Sequence, residues 1–307
     1  MKITTAQTEV MLGINHLLGE EKLQSNAEGE NDMGHSFNVM RLEYYISDIR
    51  IIHDGGQETI AEDVYLLVNG LGDSKYNLGS YDVNSIDSII FSIGVDAKVN
   101  HEDPSQWPST HALSPKNPSM HWGWAAGYRF AAIEGYAGED KLTRYEVHAL
   151  GNKNYFRTRI AVNSVMEDDK IIIALDADYT KALSTVDLEK GPITHGDFDE
   201  AITVLQNFNS SVFTIAEGGL ASVFSQEDNY NLSVFPNPTL NQSVTIQVED
   251  ISGTFEVEVY NGLGQLESTI TIEEMSSKTI SFQEKGCYFL HIRRENALIE
   301  TMKILCM

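Results

Sequence analysis

Apolar and polar residues alternate with a period of two through much of this chain. Between Phe37 and Ile52, Met40, Leu42, Tyr44 and Ile46 alternate with partly polar neighbours among β-branched and aromatic residues, a pattern that predicts one long strand. His53-Asp54-Gly55-Gly56 supplies the turn residues that end it. Strands are predicted next over Val64–Val68 and Asp87–Val95, the latter with Ile89, Phe91, Ile93 and Val95 on one face. Upstream, Val10–Leu18 is a short apolar run containing His16, and a polar loop follows from Gly19 to His35. Strand patterns resume at Leu142–His148, Tyr155–Val162 and Lys170–Leu175. A helical stripe is found over Asp197–Phe213, where Ala201, Val204, Leu205 and Phe208 share a side and Asp197 or Asp199 is placed to cap it.

The texture changes after Ser225-Gln226-Glu227-Asp228-Asn229, a polar break that reads as a linker. Short strands are then predicted at Ser243–Val248, Thr254–Tyr260, Ser268–Ile272, Lys278–Phe282, Cys287–Ile292 and Glu300–Leu305, separated by turns such as Asn261-Gly262-Leu263-Gly264. That spacing is the signature of a small β-sandwich. The expectation is an all-β chain: a large sandwich-like domain over 1–224 with one helix near its end, a linker at 225–230, and a small Ig-like sandwich over 231–307.

An apolar fraction of 42% suffices for a sizeable core, but the formal net charge of −24 is unusual. Such a surface repels phosphate backbones and argues against nucleic-acid binding. No apolar run reaches the length of about 20 residues that a transmembrane helix needs. The opening residues, Met1 to Gln7, carry no apolar core of a signal peptide, which is read as no signal peptide or one already removed. The two cysteines, Cys287 and Cys306, make neither a disulfide framework nor a zinc motif.

Candidate chemistry concentrates where four prolines and no periodicity mark Asn100–Ser119 as a long loop, which runs into Ser119-Met120-His121-Trp122-Gly123-Trp124-Ala125-Ala126-Gly127-Tyr128-Arg129-Phe130. Trp122 and Trp124 would share a face if that stretch were extended; the alternative is a tight bend allowed by its glycines. His148 shares a strand face with Arg144 and Glu146, away from Tyr145 and Val147, and is the leading candidate ligand. His16 follows, on the premise that its strand pairs with that of His148. His121 and His111 flank the tryptophan loop, His195 before the helix is a weaker candidate, and His35, His53, His101 and His291 read as surface residues. Imidazoles in such numbers suit copper. Asp96, Asn100, Glu102 and Asp103 offer oxygen ligands for calcium, a reading the acidic composition dilutes. No nucleophile elbow, phosphate-binding glycine loop or His-Glu-x-x-His is present, and the expectation is a binding protein and not an enzyme.

Two resemblances sharpen this. Val234-Phe235-Pro236-Asn237-Pro238, Val257–Gln265, Gly286–Ile292 and Lys303 resemble the type IX secretion sorting domain, which implies handling by the type IX secretion machinery and a secreted or outer cell-surface location. Cys287 stands where that family carries an aliphatic residue and reads as a buried small hydrophobe. Arg41–Arg50, Ile93-Gly94-Val95-Asp96 with Asn100, Met120–Trp124 with Gly127–Phe130, Glu134-Gly135 and His148-Ala149-Leu150-Gly151 resemble the MbnP-like copper-protein family. This resemblance implies a mononuclear copper site of histidines and a tryptophan oxidised to kynurenine by a separate dihaem enzyme. His16, His148, His121 and His111 are then the candidate metal ligands, with Trp122 or Trp124 the candidate modified residue. The rival reading is a non-metal adhesion or carbohydrate-binding module with Trp122 and Trp124 as its stacking platform.

Overall fold

The computed structural model describes residues 7–24, 27–72, 75–162, 164–167, 169–216, 231–249, 255–262, 264–272, 277–294 and 297–307. The chain divides into two compact units, Met1–Ser225 and Gln226–Met307. The expected linker at 225–230 lies outside the described residues.

In the first unit the strands are β1 (Thr8–Leu18), β2 (Glu21–Lys22), β3 (Glu28–Glu30), β4 (Ser36–His53), β5 (Gln57–Ile60), β6 (Leu66–Asn69), β7 (Lys75–Tyr81) and β8 (Ile86–Ile93). After the long loop come β9 (Arg129–Ala137), β10 (Thr143–Leu150), β11 (Arg157–Ala161), β12 (Ser164–Glu167), β13 (Lys170–Asp178), β14 (Ile193–Gly196), helix α1 (Glu200–Asn207) and β15 (Phe213–Ile215). One sheet runs β12-β13-β1-β2, with β7 on β1 and β15 on β13; the other runs β11-β8-β4-β9-β10-β14, with β3, β5 and β6 on β4. Val10, Leu12 and Ile14 of the first sheet and Leu42, Tyr44, Ile46 and Ile133 of the second belong to one continuous apolar core. The all-β sandwich expected from the period-two pattern is what forms.

β4 shows why the pattern is not a single uninterrupted alternation. Its inward set is Phe37 and Val39, then Leu42, Tyr44 and Ile46, then Ile49 and Ile51. Register shifts between Val39 and Arg41 and between Ser47 and Arg50 change the parity each time, the second with Asp48 at φ 51°. Met40, expected in the inner row, is therefore 56% exposed. The first bulge sends Arg41, Glu43 and Tyr45 to the sheet's other face.

That face is covered by the proline-rich loop, whose regular structure is one 3-10 turn at Pro104–Gln106. Leu113, Met120 and Tyr128 are buried there, Tyr128 edge-on to Tyr45 at 5.5 Å. Buried Asn100 pins the loop by accepting from the Tyr128 amide at 2.8 Å. The helical stripe splits into α1 and a wider turn at Phe208–Val212; Ala201, Val204, Leu205 and Phe208 are buried as expected. Asp199 occupies the N-cap position but its side chain accepts no capping bond.

The second unit comprises β16 (Asn231–Phe235), β17 (Ser243–Glu249), β18 (Phe255–Asn261), β19 (Leu266–Ile272), β20 (Ser277–Ser281), β21 (Gly286–Arg294) and β22 (Ala297–Cys306). Sheets β16-β17-β20 and β19-β18-β21-β22 enclose a core of Val244, Ile246, Val257, Val259, Leu290, Ile292 and Ile304. Both cysteines are free. Cys306 is the buried one; Cys287, expected to be buried, is half-buried because Tyr288, Leu290 and Ile292 take the inward parity of β21.

Gly135 in β9 has no room for a side chain: a Cβ there would lie 2.0 Å from the Asn38 carbonyl oxygen and 2.7 Å from the Tyr145 hydroxyl. Gly135→Ala should destabilise the first unit by about 2–4 kcal/mol, read as a lowered midpoint in thermal or denaturant unfolding.

Candidate functional site

The registers of β4, β9, β10 and β14 carry polar side chains into two adjoining rows. Arg41 pairs with Glu134 and Glu134 with Glu146 in one row; Glu43 pairs with Ala132, Ala132 with His148, and His148 with His195 in the next. Residues two apart on a strand share a face, so both rows lie on the loop-covered side. β14 arrives beside β10 in parallel, after the chain has passed through β11, β12 and β13.

His148 and His195 stack, with ring centroids 4.2 Å apart and planes inclined by 13°. Nε2 of His148 lies 2.9 Å from Glu134 Oε1. Arg41 donates through Nη1 to the same Glu134 oxygen at 2.8 Å, through Nε to Glu43 at 2.6 Å, and through Nη2 to the Met120 sulfur at 3.3 Å. Nε2 of His195 is 3.2 Å from Glu146 Oε2 but out of line for a hydrogen bond. Trp122 meets His195 edge to face at 5.2 Å, and the Arg129 guanidinium sits 5.1 Å from the Trp122 ring centre.

Burial holds His148 down to about 4, against the pull of Glu134 and with the help of Arg129 and His195, so its imidazole is neutral at pH 7. Glu134 is raised by burial, but the bonds from Arg41 and His148 outweigh this and hold it below the ordinary range. An ionised carboxylate can only accept, so Nε2 of His148 carries the proton and Nδ1 is a bare lone pair. Nδ1 is buried and has no hydrogen-bond partner. A carboxylate that fixes the tautomer of an imidazole while its other nitrogen points into a dry site is the usual support of a metal-ligating histidine. Among the described residues no group of three or more His, Cys, Asp or Glu side chains could hold a metal ion. The two imidazoles therefore fit a copper ion only as part of a set completed by a donor of another kind.

The other sequence candidates fall elsewhere. β1 pairs with β13, β2 and β7, and β10 with β9 and β14, which corrects the premise that the strands of His16 and His148 pair. His16 faces the interior, Nδ1 2.6 Å from the Tyr179 hydroxyl, which lies 3.0 Å from that of Tyr44. His111 stacks on Trp107 at 4.3 Å, and His121 meets Tyr128 edge-on at 4.7 Å. Trp122 and Trp124 do not share an extended face: Gly127 N bonds Gly123 O at 2.7 Å and Trp122 N bonds Gly127 O at 2.9 Å, closing the glycine bend. Trp124 at its tip is 72% exposed. Of the calcium candidates, Asp96 accepts from Tyr65 and Asn100 is engaged by Tyr128 and Asn152. His53, read as a surface residue, is 3% exposed between Asp54 and Thr59. Nothing local in Ile193-Thr194-His195-Gly196 announces the parallel pairing with β10 that brings His195 to His148, so from sequence His195 reads as only a weaker candidate.

Protonating buried His148 costs more in the folded protein than in the unfolded chain, where its value is near 6.5. The unfolded state therefore binds more protons between these values. Stability from the neutral imidazole is full above pH 6.5 and declines as the pH falls toward about 4, by at most about 3 kcal/mol. Chemical denaturation of the protein at a series of pH values should show this fall, and His148→Leu should flatten it.

The sequence profile of MbnP matches residues 7–196, and that of the secretion system C-terminal sorting domain matches residues 233–306. Among solved structures, MbnP from Methylosinus trichosporium is similar at 16% sequence identity and a TM-score of 0.39, over 58% of this chain and 76% of that chain. No curated protein matches. No helix among the described residues is long and apolar enough to cross a membrane. The sorting domain marks the chain for export, to the cell surface or beyond it. With the first profile spanning more than half of its length, the chain belongs to the MbnP family.

Proposed function

We propose that this exported protein holds a copper ion between His148 and His195, with Trp122 contributing to the site, and that it scavenges or stores the metal and does not turn over a substrate. The observation that carries the reading is the buried, unpartnered Nδ1 of His148 on an imidazole that is neutral and oriented by Glu134. Neutral imidazole suits copper in either oxidation state. Arg41 and Arg129 offset the carboxylates around the pair, so the donors offered are nitrogens and not the oxygens that calcium or magnesium requires.

Contact with His195 supports Trp122 as the tryptophan of the site. At 41% exposure it is reachable by a partner enzyme. Its oxidation to kynurenine by a separate dihaem enzyme, which the family resemblance implies, would open the indole to a carbonyl and an arylamine and supply a donor other than His, Cys, Asp or Glu. His148 and His195 bind, Glu134 orients His148, and Arg41 holds Glu134; His16 and His111 support the fold. The alternative of a carbohydrate platform needs Trp122 and Trp124 side by side, and the glycine bend with Trp122 turned to His195 disfavours it.

A Cu(I) titration against a competing chelator, on protein from its native host, tests the reading. Wild type should bind one equivalent, and His148→Ala or His195→Ala should weaken binding by more than about a hundredfold. Glu134→Leu should cost about 10–100-fold. His16→Phe should leave affinity unchanged while costing about 1–3 kcal/mol of stability through the lost Tyr179 bond. Peptide mass spectrometry of the same sample should find the oxidised residue at Trp122. Absence of binding by native-host protein would sink the proposal.

A further inference from the structure

Three polar side chains that the metal site does not use are buried between the two sheets of the first unit. His16 on β1, Tyr44 on β4 and Tyr179, which follows β13, are each exposed by 5% or less. Nδ1 of His16 lies 2.6 Å from the Tyr179 hydroxyl, and that hydroxyl lies 3.0 Å from the hydroxyl of Tyr44. The His16 and Tyr179 rings are stacked, with centroids 5.8 Å apart. Phe208 and Phe213 close around Tyr44 in ring contact, and Phe208 also meets Tyr179.

Counting protons fixes the direction of this chain of bonds. A phenol has one proton to give and can accept as well. Among the described residues the Tyr44 hydroxyl has Tyr179 as its partner and no other acceptor. Tyr44 therefore donates to Tyr179, and Tyr179 gives its own proton to the bond with Nδ1 of His16. The reverse order would leave the Tyr44 O–H buried without an acceptor, which native interiors avoid.

Burial raises both phenols well above their ordinary range, so neither loses its proton unaided. Removing an electron alone from such a phenol would leave an unpaired charge in the core. A base at 2.6 Å removes that obstacle, because the proton can leave along the existing bond as the electron goes. The positive charge then rests on imidazole, a far better base than a phenol radical. The cluster also lies close behind the strand of His148. Tyr44 pairs with Ala131 and Ala131 with Ala149, the neighbour of His148. Two strand spacings, about 10 Å, separate Tyr44 from β10.

We propose that Tyr179 is a redox-active tyrosine. A one-electron oxidant at the outer face of the sheet takes one electron from the phenol, the O–H bond breaks, and the proton passes to Nδ1 of His16. The products are a neutral tyrosyl radical, an imidazolium and the oxidant reduced by one electron. Tyr44 keeps its own O–H and donates it to the radical oxygen. The dry core shields the radical, and an oxidising equivalent is held away from His148 and His195 on the other face. No metal takes part in the step.

The test uses the metal-free full chain, oxidised by a photoexcited ruthenium polypyridyl complex with a cobalt(III) ammine as electron acceptor, and EPR of samples frozen after illumination. Wild type should give a long-lived neutral tyrosyl signal, coupled to an imidazole nitrogen when the histidines are nitrogen-labelled. Tyr179→Phe should cut that signal several-fold. His16→Phe should cut it comparably and abolish the slowing of radical formation in heavy water that proton transfer gives wild type. Tyr44→Phe leaves the Tyr179–His16 bond in place and should keep most of the signal; its loss there would overturn the assignment to Tyr179. So would an undiminished signal in Tyr179→Phe or His16→Phe, or a wild type with no long-lived signal or none coupled to imidazole. Should a variant fail to fold, the coupling in wild type still decides the matter. Tyr179→Phe should bind Cu(I) as wild type does, so a failed copper titration and a failed radical assignment are separate outcomes.

Discussion

The Arg41 guanidinium is the contact on which the rest of the first unit's chemistry depends. It is 12% exposed and divides its donors among Glu43 on its own strand, Glu134 on β9 and the sulfur of Met120 in the loop above. A cation this far out of water is tolerable only with its partners in place, and removing one side of such a network leaves a charge uncompensated. Through Glu134 the arginine fixes the ring of His148, and through Met120 it ties down the loop that carries Trp122. Arg41 points this way only because a bulge at Met40 changes the parity of β4.

The pocket's electrostatics run against those of the whole chain. A net charge of −24 would draw cations to the surface diffusely, yet around His148 the carboxylates of Glu43 and Glu134 are engaged by Arg41, and Arg129 lies close by. What remains is a pair of stacked imidazoles roofed by an indole, in a setting dry enough to keep His148 neutral far below its ordinary range. In the copper reading proposed above, this combination would select by donor type and not by charge. The acidic surface serves solubility outside the cell, a separate matter from the site.

Both units depend on covering a sheet, in different ways. In the first, a proline-rich loop forms a third layer over one face, with Asn100, Tyr128 and Leu113 locking it down. In the second, Asn237–Thr239 covers part of an edge. In each case an asparagine side chain stands in for backbone partners that irregular chain cannot supply, because buried or edge N–H and C=O groups must find partners somewhere.

Local chemistry is what the sequence by itself determined. The period-two runs marked strands such as β4, β8 and β13; the stripe of Ala201, Val204, Leu205 and Phe208 marked the helix; the ordered motifs marked both families. His148 and Trp122 were visible because a strand face and a dense motif are written in adjacent residues. Tertiary structure alone decided which histidine joined His148. His16 sits on an apolar-rich strand and looked eligible, but β1 hydrogen-bonds to β13, which places His16 beside Tyr179 in the interior. His195 came instead, because β14 adds to β10 in parallel after a long excursion through other strands. Period and propensity are set by neighbours in the chain, whereas strand partners are chosen by burial and hydrogen bonding summed over the whole sandwich. No local window holds that sum.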